Sequence, residues 1–340
     1  MAKIRSIWHN RAKYFLFFSF MNKKSQKSCK VCGSIFIKKD GFKRWRQRYK
    51  CKTCWHVFQN ASRKKSLKER EEEKLIPELW LKYAHRNQTY IHLSEDYNKT
   101  KYEIQQLLDR YEFIPPQVVP SSVILIMDTT YFWDMWVMVF KDSKSSKILH
   151  YELVVNESNT TYQEGVEKLE SEWWKIEAIV CDGKKWLMKS FSEKWIPTQM
   201  CHFHQKAILR RYITKKPILQ ANKDIKILWE LLMQTDKETF EYELQRYSER
   251  YKDFLNEKRI NSKWKQEYIH KRTRSAYFSL KNNLKYLFTW YDYYWTLDIP
   301  NTTNALEWVF WHLKTKVSLH RGLKKERKIK LILSLLFGKP

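Results

Sequence analysis

Val123-Ile-Leu-Ile-Met127, closed by Asp128, is the stretch on which the fold turns. Five apolar residues in a row, without a helical period, read as a strand buried on both faces. Ile176-Glu-Ala-Ile-Val180, followed by Cys181 and Asp182, repeats the pattern. Around these two, Phe132–Phe140 and Ile148–Val155 read as strands and Pro197–Cys201 as a short fifth one. Thr160–Trp174 reads as an amphipathic helix with Val166, Leu169 and Trp173 on one face, and Lys184–Trp195 as a second helix. The order β-β-β-α-β-α-β predicts an α/β fold with a mixed sheet and helices against it. Residues 205–295 lose strand character and read as several helices rich in Tyr and Trp. Thr302–Val317 reads as a final helix, with Thr302 or Thr303 as its N-cap.

Before this region the chain carries two C-x-x-C pairs, Cys29/Cys32 and Cys51/Cys54. Each pair can present two thiolates to one ion, so residues 28–60 are expected to form a zinc ribbon with a structural Zn²⁺. Thiols in that use also point to a reducing compartment. Lys43, Arg44, Arg46 and Arg48, with Trp45 and Tyr49 interleaved, lie between the pairs and are candidates for DNA contact. Residues 67–111 show helical periodicity at Leu75, Leu79, Tyr83, Leu93, Ile104, Leu107 and Leu108. Within them, two short helices around Asn98 read as a helix-turn-helix over residues 67–112. Thr100 would cap its second helix, leaving Lys99, Lys101, Gln105 and Arg110 for phosphates or base edges. Phe113–Pro120 reads as a linker. At the start, residues 1–27 form a basic tail. Its apolar run Tyr14–Phe20 is too short for a signal peptide, and Met21 is an alternative start.

The charge narrows the partner. Sixty-five Lys and Arg against 37 Asp and Glu give a net charge of +28 over 340 residues, concentrated in residues 1–74 and 301–340. A polyanion accounts for that excess, since each neutralised phosphate releases counterions. Only six glycines are present and neither G-x-G-x-x-G nor a P-loop occurs, so a nucleotide cofactor is not expected. No apolar run approaches the roughly 18 residues of a membrane span.

Asp128 and Asp182 each end an apolar strand, where a sheet offers polar side chains to a cleft. Glu307, in Asn301-Thr-Thr-Asn-Ala-Leu-Glu307, borders the helical stripe Leu306, Phe310, Leu313 and Val317 and is the third candidate, ahead of Asp298. Three carboxylates suit Mg²⁺ or Mn²⁺ and two-metal phosphodiester chemistry. Asp128, Asp182, Cys201-His-Phe-His204 and Thr302-Thr-Asn-Ala-Leu-Glu307 together resemble the Mutator-like DDE transposases of bacterial insertion sequences, in their zinc-binding variant. The resemblance implies an RNase H-like core over residues 121–204 and 300–323, interrupted by an α-helical insertion at 205–299. It implies catalytic metal at Asp128, Asp182 and Glu307, with Cys201 and His204 supporting them. One Trp of the insertion, among Trp264, Trp290 and Trp295, would stack on an unpaired base. Arg321, Lys324 and Lys325 would extend the DNA surface into a basic segment at 324–340. DNA, as terminal repeats and target, would be the partner of a homo-oligomer acting in the cytoplasm at the nucleoid. A non-catalytic regulator derived from a transposase, or an RNase H-like nuclease, are the alternatives.

Overall fold

The computed structural model describes residues 28–44, 46–59, 66–132, 135–320 and 322–338. The basic tail with Met21, and Trp45, lie outside them. The chain divides into two compact units, up to Glu72 and from Glu73 onward.

The first unit is a three-stranded antiparallel sheet of β1 (Ile37–Lys43), β2 (Arg46–Cys51) and β3 (Val57–Gln59). Cys29 and Cys51 are its only buried side chains among the described residues. A unit with so little apolar burial needs another source of stability.

The second unit is built on a five-stranded mixed sheet in the order β6-β5-β4-β7-β8. The strands are β4 (Ser122–Phe132), β5 (Met135–Asp142), β6 (Ile148–Val154), β7 (Lys175–Cys181) and β8 (Thr198–Met200). β4, β5 and β6 form an antiparallel meander, whereas β4, β7 and β8 run parallel. Alternation along β4 sends Val123, Leu125 and Met127 into one core and Ile124 and Ile126 into the other. The first core is covered by α4 (Asn159–Ser171), α5 (Lys185–Glu193) and the helices after them. Gly165 lets α4 lie close to the sheet, because a Cβ there would come within 2.1 Å of the Phe140 ring. The second core is covered by α1 (Leu67–Ala84), α2 (Tyr90–Asp96), α3 (Lys101–Asp109), α12 (Asn304–Leu319) and α13 (Lys325–Phe337). Thr100 caps α3 in a reciprocal box with Glu103, and Asn98 takes the left-handed conformation (φ 47°) in the α2–α3 turn.

Between β8 and α12 come α6 (His202–Tyr212), α7 (Gln220–Leu232), α8 (Lys237–Arg250), α9 (Lys252–Asn256), α10 (Lys271–Leu287) and α11 (Thr289–Asp292). This region also holds a small hairpin, β9 (Lys258–Ile260) with β10 (Gln266–Tyr268), where only helices were expected.

Four other expectations shift. Phe132–Phe140 is not one strand: Phe132 ends β4 and pairs with Met135, the first residue of β5. Trp173 does not join the face of α4. It sits past the helix in the left-handed region, 87% exposed, and Trp174 is the buried one. α6 starts at His202, inside Cys201-His-Phe-His204. Within the basic segment, residues 325–337 form a helix with a buried face: Leu331, Ile332, Leu335 and Leu336 enter the second core, and Ser334 accepts from Trp80 Nε1 at 2.8 Å.

Candidate active site and metal centre

In the first unit the four cysteine sulfurs lie within 4.8 Å of one another. Cys29–Cys54 and Cys32–Cys51 are separated by 3.5 and 3.6 Å. Tetrahedral zinc with bonds of about 2.3 Å places sulfurs roughly 3.8 Å apart, so the set fits that ion. Both C-x-x-C turns close the same way. The Gly33 and Trp55 amides donate to the Cys29 and Cys51 carbonyls, and both residues are left-handed (φ 71° and 64°). Backbone N–H groups of Cys54 and Thr53 aimed at Cys51 bring its thiol down to about 6 despite desolvation. Cys54 is pushed up to about 12: the His56 amide favours its thiolate, but the other three sulfurs crowd it. A cation at the centre relieves that crowding.

In the second unit, Ile126 pairs with Val180 in parallel register, and two residues further on are Asp128 and Asp182. Asp182 follows the end of β7 as expected, but Asp128 does not end its strand, because β4 runs on to Phe132 by pairing with β5. Both follow the alternation of Ile124, Ile126 and Val180 and so belong to the face under α12. Asp128 is buried, accepts from its neighbour Thr129 N at 2.8 Å, and is pushed up to about 6. Burial is the main cause. The His204 charge opposes it, while Asp182 and Glu157 add to it. Asp182 accepts from Gly183 N at 2.5 Å. His204 Nδ1 lies 4.0 Å from Asp182 Oδ1. Burial opposes a charge on His204, but the Cys201 sulfur and the two aspartates outweigh it and raise the imidazole to about 9.

Cys201 ties α12 to the sheet. Its amide donates to the Cys181 carbonyl at 2.9 Å, while its sulfur accepts from Thr303 N (3.2 Å) and Thr303 Oγ1 (3.3 Å). Thr303, the N-cap residue, therefore spends its hydroxyl on sulfur and makes no side-chain cap bond. The His202 amide donates to Asn301 O at 2.9 Å, and buried Lys141, cross-strand from Ile126, donates to Ala305 O at 3.2 Å. These bonds set the first turn of α12, which carries Glu307, over the aspartate face.

Glu307 itself is exposed. Among the described residues, the four cysteines are the only set of three or more such ligand atoms within 4.8 Å of each other, so Asp128, Asp182 and Glu307 do not form a closed three-carboxylate cage. The two aspartates have the oxygen chemistry of a Mg²⁺ or Mn²⁺ site, which ordinarily keeps several waters and substrate phosphates as further ligands.

Three residues beside the aspartates gave no signal in the sequence. Glu157 accepts from Tyr162 OH (2.7 Å) and pairs with Lys184 (2.5 Å), and Tyr162 OH also meets Thr129 Oγ1 at 2.7 Å. Glu157 follows β6 without a strand-end motif, and Tyr162 reads only as a core aromatic.

The cationic candidates divide. Lys43, Arg44, Arg46, Lys101, Lys324 and Lys325 are exposed; Lys99 and Gln105 are half-buried. Arg48 is engaged with Asp40 (3.4 Å), and Arg110 is exposed at the end of α3. Arg321 lies outside the described residues. In the basic segment, Arg327 pairs with Asp109 at 2.5 Å and Lys330 caps the last carbonyls of α3. Of the insertion's tryptophans, Trp290 packs against both cores, whereas Trp264 and Trp295 are 89% and 92% exposed.

No protein-family model matches the chain, and no curated protein matches it. Among the described residues, no helix is long and apolar enough to cross a membrane.

Proposed function

We propose that the chain is a DNA-strand transferase of the DDE transposase type, with an RNase H-like core. The observation that carries this reading is the placement of Asp128, inside β4 two residues past its last parallel pair, and Asp182, just past the end of neighbouring β7, beneath a helix whose first turn bears Glu307. Bound Mg²⁺ or Mn²⁺ would supply Lewis acidity at the attacking and leaving oxygens of a phosphodiester. Asp128 and Asp182 would hold that charge, with Glu307 as the third carboxylate. The His204 imidazolium offsets the aspartates' mutual repulsion. Water attacks one phosphodiester and releases a 3′-hydroxyl and a 5′-phosphate. The 3′-hydroxyl then attacks a phosphodiester of target DNA, its proton passing to the displaced 3′-oxygen of the target strand as that P–O bond breaks, and no covalent enzyme intermediate forms. Zinc at Cys29, Cys32, Cys51 and Cys54 holds the ribbon. The ribbon, and α2–α3 acting as a helix-turn-helix, recognise the element's terminal repeats.

One observation favours a second reading, a DNA-binding regulator without strand chemistry: Glu307 stands outside ligand spacing. A Mg²⁺-dependent cleavage assay on terminal-repeat DNA separates the two. Asp128→Ala, Asp182→Ala and Glu307→Ala should each abolish cutting and retain binding. A parent chain that binds and never cuts establishes the regulator. Joined product in a target plasmid distinguishes transfer from simple nuclease action.

A further inference from the structure

Immediately beyond Asp182, Gly183 opens onto a cleft of ≈ 350 Å³ between α5, α6 and α10. Its lining includes Lys185 and Arg211 and no acidic residue. Both cations are exposed and make no ion pair among the described residues. Ser275 and Phe278 on α10 border this cleft and also a second one, of ≈ 600 Å³, that reaches the β9–β10 hairpin. In the second cleft Arg274 lies over the Tyr268 and Phe278 rings, at 4.0 and 4.5 Å from their centroids. Along α10, from Asn283 to Lys271, the groove extends about 18 Å.

The cleft between α7 and α8 serves as a contrast. It is of similar size, ≈ 400 Å³, but its Arg246 and Arg250 are paired with Glu243 and Asp224. Its charge is spent internally. At the Gly183 end of the α10 groove the positive charge is unspent, and half-buried rings line the way. At the hairpin end Glu267 pairs with Lys271 and Arg259, so the free charge is confined to the Gly183 end. Free cations there, with aromatic surface further along, suit an unpaired strand, whose bases have free faces, better than a duplex.

We propose that the α10 groove holds an unpaired DNA strand, with backbone phosphates on Lys185 and Arg211 and bases against Phe278 and Tyr268, and leads it to the end of the sheet at Gly183, next in sequence to Asp182. This rests on the reading that the aspartates act on DNA, and the test separates the two claims. Binding of a short labelled single strand to the full chain is followed by fluorescence anisotropy without added divalent ion. Lys185→Glu with Arg211→Glu should weaken binding about tenfold or more and flatten the salt slope by about 1.4, the contribution of two phosphates on a single strand. Lys144→Glu with Lys147→Glu, exposed in the β5–β6 turn at the other end of the sheet, makes the same charge change and should cost less than threefold. Lys185→Ala with Arg211→Ala should weaken binding in the same direction without adding repulsion. Equal losses in the groove pair and the turn pair, or no loss in either, overturn the proposal. So does tighter binding of a duplex of equal length. Weakened strand binding in a chain that never cuts leaves the groove standing and removes the strand-transfer reading. A cutting chain with an unaffected groove pair removes the groove alone.

Discussion

The ribbon buries two cysteines and almost nothing else, and its four ligands come from two turns 22 residues apart at their starts, Cys29 and Cys51. The aspartate site has apolar cores on both faces of its sheet and draws on β4, β7, α6 and α12, spread from residue 128 to residue 307. In the first region the ligand set is the fold. In the second the apolar cores carry the fold, and they hold the Asp128 carboxyl and the His204 imidazole in a desolvated setting. Loss of metal should therefore unfold the one and relax the other.

Removing zinc tests this contrast most severely. Chelation, or Cys51→Ser, should release about one zinc per chain and unfold the ribbon. Structural zinc contributes on the order of 10 kcal/mol in small domains. The sheet unit's melting transition should stay where it was. Zinc analysis with limited proteolysis reads both, and a folded, protease-resistant ribbon without metal would erase the distinction.

Asp128→Asn is the reciprocal experiment. Asp128 titrates near 6 when folded and near 3.8 when unfolded, so its ionised form costs stability above pH 6, and that cost disappears below 3.8. At pH 7 without added divalent ion the variant should be more stable by about 1–3 kcal/mol while cleavage is lost. Urea unfolding checks the sign, and a less stable variant would show that the site is not strained.

Acid should act in the opposite direction through two buried histidines. Burial holds His202 and His320 down to about 4. Below pH 6.5 the unfolded chain binds protons that the folded chain refuses, so stability present above 6.5 drains away as the pH falls toward 4. A loss of about 2 kcal/mol per histidine, about 4 kcal/mol for the pair, is expected between pH 7 and pH 4.5. His202→Gln with His320→Gln should flatten that slope.

Smaller effects probe the joints. Cys201→Ala removes the acceptor of two Thr303 hydrogen bonds and should cost about 1–2 kcal/mol, with cleavage falling further than stability because the Glu307 turn loses its anchor. Trp195→Gly should stabilise by about 1 kcal/mol, since Trp195 is 93% exposed at φ 61° and glycine adopts that conformation without strain.

Much of this was readable along the chain wherever the signal was local. The cysteine spacing, the Thr100 cap and the apolar runs ending in Asp128 and Asp182 all lie within a few residues of what they organise. The β4–β5 reversal was missed because no glycine or asparagine marks it. Trp173 and Trp174 were exchanged because periodicity does not show where a helix stops. Lys141, Glu157 and the sulfur tie from Cys201 to Thr303 are products of tertiary packing, which one-dimensional spacing does not encode. The helix at 325–337 was hidden by its charge: the basic run Lys324–Lys330 draws the eye away from Leu331, Ile332 and Leu335, which are buried behind it.

That last helix also sets a schedule for biosynthesis. Leu79 and Trp80, made early, share a core with Leu331 and Leu335, made late. During translation the part of the α1–α3 surface that the last helix covers stays open until residue 337 has been made.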